Sequence, residues 1–189
     1  MQLWVGLGNP GPEYALNRHN VGFMALDALA ARLELPAPQR KFQGWLQEAR
    51  LGSEKIVLLK PATFMNKSGQ SVRAAMDFYK LEPADVTVFH DELDLLPFKI
   101  KVKTGGGTAG HNGLRSTDSH IGPDFRRVRI GIGHPGDKDR VTPYVLGNYA
   151  KAEFDDLTDM LGAIAAEADW LAGGEDARFM SDVALRLQG

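Results

Sequence analysis

One histidine near the amino end, an acidic cluster in the middle and asparagines beside two turns are the residues in this chain that could activate water. His19 closes the stretch Trp4 to His19, W-V-G-L-G-N-P-G-P-E-Y-A-L-N-R-H, where a short apolar strand empties through a glycine-proline turn into a helix. An imidazole can take and return a proton near neutrality. Asp91, inside His90-Asp91-Glu92-Leu93-Asp94, is a carboxylate able to fix the tautomer of such a ring and favour its protonated form. Asn9 and Asn66 offer neutral amides, which donate hydrogen bonds to a carbonyl or an oxyanion without titrating. Taken together they predict a crevice in which His19 removes a proton from water, Asp91 supports the imidazolium and amides hold the carbonyl under attack.

Competing chemistries draw on the same residues. Gly6-Leu7-Gly8-Asn9-Pro10-Gly11 spells a dinucleotide-binding fingerprint after a strand, which would make the chain a nucleotide-dependent oxidoreductase. The mechanics oppose it: Pro10 and Pro12 lack the N–H groups a pyrophosphate needs, and the helical pattern starts too late to bring a helix terminus to it. Asp91, Glu92 and Asp94 could hold a hard cation, but no ligand spacing accompanies them, and no metal or cofactor is expected. Ser68 could complete a nucleophilic triad with His19 and Asp91, although no G-x-S-x-G elbow surrounds it. With no cysteine in the chain, thiolate catalysis, thiolate metal sites and disulfides are excluded.

In the elements that must hold these side chains, strand-like and helix-like stretches alternate, which predicts an α/β fold. The expected architecture is a single domain over residues 1–189, a twisted mixed, mostly parallel sheet with helices on both faces. Val21, Met24, Ala25, Ala28, Leu29 and Leu33 recur at helical spacing, with Asn17 as a cap upstream. Phe42–Leu51 and Lys55–Lys60, parted by Gly52-Ser53-Glu54, predict a hairpin. A second helix follows through Val72, Ala75, Met76 and Tyr79. Val86–Phe89 reads as a buried central strand ending at the acidic cluster. Phe154, Leu157, Leu161, Ile164, Ala168 and Leu171 predict one long amphipathic helix closed by Gly173-Gly174, with a shorter one through Met180, Val183 and Leu187. Asn9, Asn66 and Asp91 each follow a separate strand, and in open α/β sheets ligands gather at the strands' carboxyl ends.

The net charge of −2 hides an asymmetry. Between Lys99 and Arg140 there are nine Lys and Arg against four acids, a local +5, whereas from Lys151 onward three bases meet nine acids. A segregated basic face can grip a polyanion on an acidic protein, because screening confines distant charge to roughly a Debye length of 10 Å. In Phe98–Lys103 the lysines at 99, 101 and 103 alternate with Ile100 and Val102, placing three amines on one face. Arg127 and Arg129 alternate likewise with Val128 and Ile130. The run Gly105-Gly106-Gly107-Thr108-Ala109-Gly110 between these strands has the composition of a movable loop. An RNA-binding module without turnover is therefore the alternative function. The amino-terminal residues have neither a basic region nor a long apolar run, so no membrane segment and a cytoplasmic location are expected.

Four motifs give the chain a family resemblance: V-G-L-G-N-P-G-P-E-Y-x-x-x-R-H-N from Val5 to Asn20, P-x-T-F-M-N-x-S-G from Pro61 to Gly69, H-D-E-L-D from His90 to Asp94, and G-H-N-G-L-R with R-I-G-I-G-H-P-G downstream. Over nearly its full length it resembles bacterial peptidyl-tRNA hydrolases, which cut the ester joining a peptide to tRNA. The resemblance implies that His19 is the catalytic base, that Asp91 keeps it basic, and that Asn9 distinguishes a blocked from a free amino group. It places Tyr14, Phe64, Met65, Asn66 and Asn112 along the substrate channel, and gives Lys103 and Arg129 the tRNA phosphates. Peptidyl-tRNA is then the partner, no metal is required, and the enzyme is expected to be a monomer. Thr108-Ala109 stands where some relatives have a further glycine.

Overall fold

The computed structural model describes residues 1–188. Its seven strands are β1 (Gln2–Gly6), β2 (Gln39–Lys41), β3 (Gly44–Leu51), β4 (Glu54–Pro61), β5 (Val86–Glu92), β6 (Ile100–Thr104) and β7 (Arg126–Gly131), joined in one sheet ordered β2-β3-β4-β1-β5-β7-β6. The four central strands, β4, β1, β5 and β7, run parallel, and antiparallel strands flank them on both sides. Strands β1 and β5 are apolar on both faces, as strands covered by helices on both sides must be. Leu3, Val5, Val86 and Val88 face one layer, while Trp4 and Phe89 face the other and their rings meet 5.5 Å apart.

Helices α1 (Val21–Arg32), α5 (Phe154–Ala166), α6 (Ala168–Ala172) and α7 (Asp176–Leu187) cover the Trp4 face. Helices α2 (Ser68–Tyr79) and α3 (Asn112–Ile121) cover the other, and the short α4 (Val141–Val145) borders the carboxyl end of the sheet. The mixed sheet with helices on both faces is as expected.

Several boundaries differ from the sequence reading. The segment from Phe42 contributes not one strand but the turn of an extra hairpin, since Gln39–Lys41 pairs with β3. Phe42 and Gln43 both take φ of 56°, a left-handed conformation costly for side-chain-bearing residues. The Phe42 carbonyl accepts from Ser71 Oγ (2.6 Å), the Gln43 carbonyl from Ala62 N (2.9 Å), and the Phe42 ring packs on Phe78 and Tyr79, contacts that periodicity does not report. Strand β5 does not stop at Phe89. It continues through Glu92 because Asp91 and Glu92 pair with Ile130 and Gly131 of β7. Strand β6 begins at Ile100, since Phe98 at φ 66° turns the chain, so Lys99 lies outside the alternation of Lys101 and Lys103.

The long carboxyl-terminal helix is broken at Glu167 (φ −101°, ψ 7°). No glycine or proline marks the break. At the break Glu167 accepts from Arg186 Nε of α7 at 2.6 Å, a tertiary contact invisible to helical spacing. Asn17 makes no side-chain cap: its Nδ2 donates to Asn148 Oδ1 (2.8 Å), which ties the His19 turn to the segment after α4, and its Oδ1 meets no donor among the described residues.

Candidate active site

The His19 turn is held in place by glycines that let backbone approach backbone. A Cβ on Gly22, in the first turn of α1, would press on the Phe89 carbonyl and lie 2.6 Å from Leu7 N, and one on Gly8 would lie 2.7 Å from the Phe23 ring. The fingerprint-like glycines therefore serve close helix–strand packing, which seats α1 on the ends of β1 and β5. Two 3-10 turns, Pro12–Tyr14 and Arg18–Asn20, carry the chain from β1 into that helix. Arg18 fastens the second one: its guanidinium lies 4.3 Å from the Tyr144 ring centroid and pairs with Glu153.

Asp91 stands at the end of β5, where the two helical layers meet. His19 reaches it from the α1 side and His111 from the start of α3, with His19 Nδ1 2.8 Å from Oδ2 and His111 Nε2 2.8 Å from Oδ1. The tautomers follow from the remaining contacts. His111 Nδ1 accepts from Gly113 N (3.1 Å) and Leu114 N (3.2 Å), capping α3, so its proton is on Nε2 and is donated to Asp91. His19 donates through Nδ1, which leaves its Nε2 lone pair as the basic atom. Burial opposes charge on His19, yet the Asp91 charge and hydrogen bond outweigh it and hold the His19 pKa above its ordinary value. Burial likewise works against the Asp91 carboxylate, but the two rings hold it well below the usual carboxylate range.

The donor atoms of His19, Asp91 and His111 lie within 4.8 Å of one another, close enough to suggest a cation. The donor set does not suit one. Capping of α3 commits His111 Nδ1, so Nε2 carries a proton toward Asp91 and presents no lone pair to a metal. The acidic cluster does not converge on a cation either, since Glu92 accepts from Arg129 Nε (3.0 Å) and from Asp94 N (3.2 Å). Ser68 is fully buried and gives its hydroxyl to the Met65 carbonyl (2.8 Å), which removes it as a nucleophile.

Asn9 is buried and bonded to Asn20, the residue after His19. Its Oδ1 accepts from Met65 N (2.7 Å), so the turn after β4 and the loop after β1 are joined, as convergence of strand ends requires. That bond turns Nδ2 away from Met65 as the side chain's free donor. Tyr14 and Phe64 meet edge to face at 6.4 Å, Phe64 half exposed. Met65 is buried, while Asn66 and Asn112 stand exposed, neither hydrogen-bonded to His19 or Asp91. A crevice of ≈ 390 Å³ opens over His19 and Asp91 between Thr108–Asn112 on one side and His134, Lys138 and Val145 on the other. A larger cavity of ≈ 570 Å³, lined by Phe98, Ile100, Met180 and Leu187 with Asp156 and Asp159 among its acids, contains no histidine.

The basic edge adjoins this crevice. Lys103 is exposed, whereas Arg129 is half buried and pairs with Glu92, and a small cavity of ≈ 150 Å³ touches both beneath the glycine-rich loop. Arg127, read from alternation as a companion of Arg129, is 2% exposed. It donates to the carbonyls of Gly106, Gly107 and Pro123, and so acts as the loop's internal brace. Residues overlooked in the sequence were His111 and Asn20. His111 sits in the quoted G-H-N-G motif at the start of a helix, a position that hints at a cap but not at Asp91, 20 residues earlier. His90, next to Asp91, is fully buried, and burial together with His111 lowers its pKa to about 4, which keeps it neutral.

A layered α/β sheet carries a histidine–carboxylate pair at its carboxyl end, beside a basic strand pair, an arrangement suited to a hydrolytic enzyme. The particular family is equally plain: the peptidyl-tRNA hydrolase family matches residues 3–188, and the chain belongs to it. Peptidyl-tRNA hydrolases of Erythrobacter litoralis and Sphingopyxis alaskensis are 73% identical over 188 residues and 71% identical over 189, each alignment spanning 100% of both chains. The crystal structure of the Acinetobacter baumannii enzyme superposes with a TM-score of 0.90 at 42% identity, covering 97% of this chain and 94% of that one.

Proposed function

We infer that the chain hydrolyses the ester between a peptide and the 3′ end of tRNA, with His19 as general base. The chain is a carboxylic-ester hydrolase acting on peptidyl-tRNA. The observation that carries the mechanism is the His19 Nδ1–Asp91 Oδ2 hydrogen bond of 2.8 Å, which leaves Nε2 as the ring's lone pair in a crevice. A water on Nε2 loses its proton to His19 as its oxygen attacks the ester carbonyl. The imidazolium so formed faces the Asp91 carboxylate. When the tetrahedral intermediate collapses, the proton passes to the departing ribose oxygen, giving free tRNA and a peptide acid.

The orientation of Asn9 accounts for the preference for a blocked amino group. With Oδ1 committed to Met65 N, Asn9 offers a substrate only N–H donors. The acyl carbonyl of an N-blocked residue accepts such a bond, whereas the ammonium of a free aminoacyl group has no acceptor. Tyr14, Phe64, Met65, Asn66 and Asn112 border the path of the acyl chain, and Lys103 and Arg129 take the tRNA phosphates. On this reading residues 1–189 act as one unit, as a monomer and in the cytoplasm, without a metal. Release of peptide from purified N-acetyl-aminoacyl-tRNA in excess chelator tests it. Activity that disappears with chelator and returns with a divalent ion would refute the metal-free mechanism, and tRNA binding with no release under any condition would refute hydrolysis.

A further inference from the structure

Asn20, directly after the base, is 2% exposed and spends its whole amide on one residue. Its Oδ1 accepts from Asn9 N (2.9 Å) and its Nδ2 donates to the Asn9 carbonyl (2.9 Å), so both backbone groups of Asn9 are held by one side chain. Asn9 needs such a partner. Strand β1 ends at Gly6, and Pro10 follows with no N–H of its own, so the sheet supplies nothing to fix the Asn9 backbone. The Met65 N–H then sets the Asn9 side chain by taking its Oδ1. Because His19 and Asn20 are neighbours in one 3-10 turn, the base and the clamp on Asn9 move as one body.

We propose that Asn20 is a positioning residue for substrate selection: by clamping the Asn9 backbone it aims the Asn9 Nδ2 donor at the substrate's N-acyl carbonyl, in register with His19. The proposal rests on the hydrolytic reading above, and it concerns selection, not the proton transfer. Removing the clamp frees the Asn9 backbone to shift, which carries its Nδ2 donor out of line with the substrate carbonyl. Loss of one aimed hydrogen bond, about 1.4 kcal/mol, corresponds to about a tenfold change in preference.

The test compares wild type, Asn20→Ala, Asn20→Asp, Asn9→Ala and the Asn9→Ala/Asn20→Ala pair. Each is assayed for kcat/KM on N-acetyl-aminoacyl-tRNA and on free aminoacyl-tRNA, and for Kd with amide-linked, hydrolysis-resistant versions of the two ligands. The expected result is a ratio of blocked to free that falls about tenfold in Asn20→Ala and by a comparable factor in Asn20→Asp, which keeps the acceptor for Asn9 N but turns an oxygen on the Asn9 carbonyl. The acid limb of the pH profile should not move. In the Asn9→Ala background, Asn20→Ala should leave the ratio unchanged. Unchanged selection with only a lower Tm overturns the proposal, as does an equal loss of selection in the Asn9→Ala background. Should Asn20→Ala not fold, Asn20→Asp and the Kd ratio decide in the same two directions. A wild type that binds both ligands but cleaves neither defeats the hydrolytic reading while leaving the Kd comparison to judge Asn20.

Discussion

Replacing Asp91 by asparagine exchanges a residue with two acceptors for one with a single acceptor, and the hydrogen bonds around it determine which histidine suffers. His111 cannot surrender its Nε2 proton, because its Nδ1 lone pair is held by two backbone N–H groups at the start of α3. It therefore takes the one carbonyl oxygen of the new carboxamide and leaves the amide N–H pointing at His19 Nδ1. His19 then adopts the opposite tautomer, with its proton on Nε2 where the water should be. Restoring the working tautomer would set two buried donors against each other, each unsatisfied donor costing about 1–3 kcal/mol. A total of about 2–6 kcal/mol at 1.36 kcal/mol per tenfold predicts that Asp91→Asn lowers kcat by roughly 30-fold to 10⁴-fold. The assay is single-turnover hydrolysis of N-acetyl-aminoacyl-tRNA at saturating enzyme. Adding His111→Ala to Asp91→Asn frees the carboxamide oxygen to turn toward His19, so the double variant should recover about tenfold or more over Asp91→Asn alone. A double variant no faster than the single one would show that His111 does not dictate the tautomer of His19.

His19→Ala should reduce kcat at least about a hundredfold with little change in Kd for uncleavable substrate, and unaltered turnover would return His19 to a structural role. Because only neutral His19 is a base and its pKa is raised by Asp91, the acid limb of kcat/KM should have its midpoint above the ordinary 6.5. In stability terms the same ring contributes fully below its unfolded value and loses that contribution as pH rises through the folded one, whereas Asp91 contributes above its ordinary 3.8 and is lost on acidification. A midpoint at or below 6.5 contradicts the coupling. Lys103→Ala should raise KM for peptidyl-tRNA, spare kcat and flatten the log–log salt slope by about one contact, with no effect on a minimal ester lacking the phosphates. Glu92→Gln, which releases Arg129 from its ion pair, should tighten tRNA binding, and weaker binding would mean the pair orients Arg129 for phosphate. Gly22→Ala, whose Cβ has no room between Leu7 and Phe89, should cost about 3 kcal/mol or more and lower Tm by roughly 6–12 °C, measured by thermal melting.

The class of fold, the central strands and the pairing of His19 with Asp91 were legible in the chain because each rests on a local signal. Apolar runs such as Leu3–Val5 and Val86–Phe89 announce strands buried on both faces, and the histidine after the glycine-proline turn lies in the same short motif as Asn9. The alternation of Lys101 with Lys103 on an edge strand is likewise a property of neighbours in sequence. What remained hidden depends on contacts between distant segments. Glu167 has ordinary helical neighbours, yet the chain breaks there and its carboxylate meets Arg186 of α7. Arg127 and Arg129 share one strand face, yet the loop carbonyls bury the first and Glu92 claims the second. His111 becomes a partner of Asp91 solely because α3 and α1 start at the same end of the sheet on opposite faces, bringing two helix entrances to one carboxylate. Spacing along a chain cannot express that meeting, for it is set by the order in which the strands lie side by side.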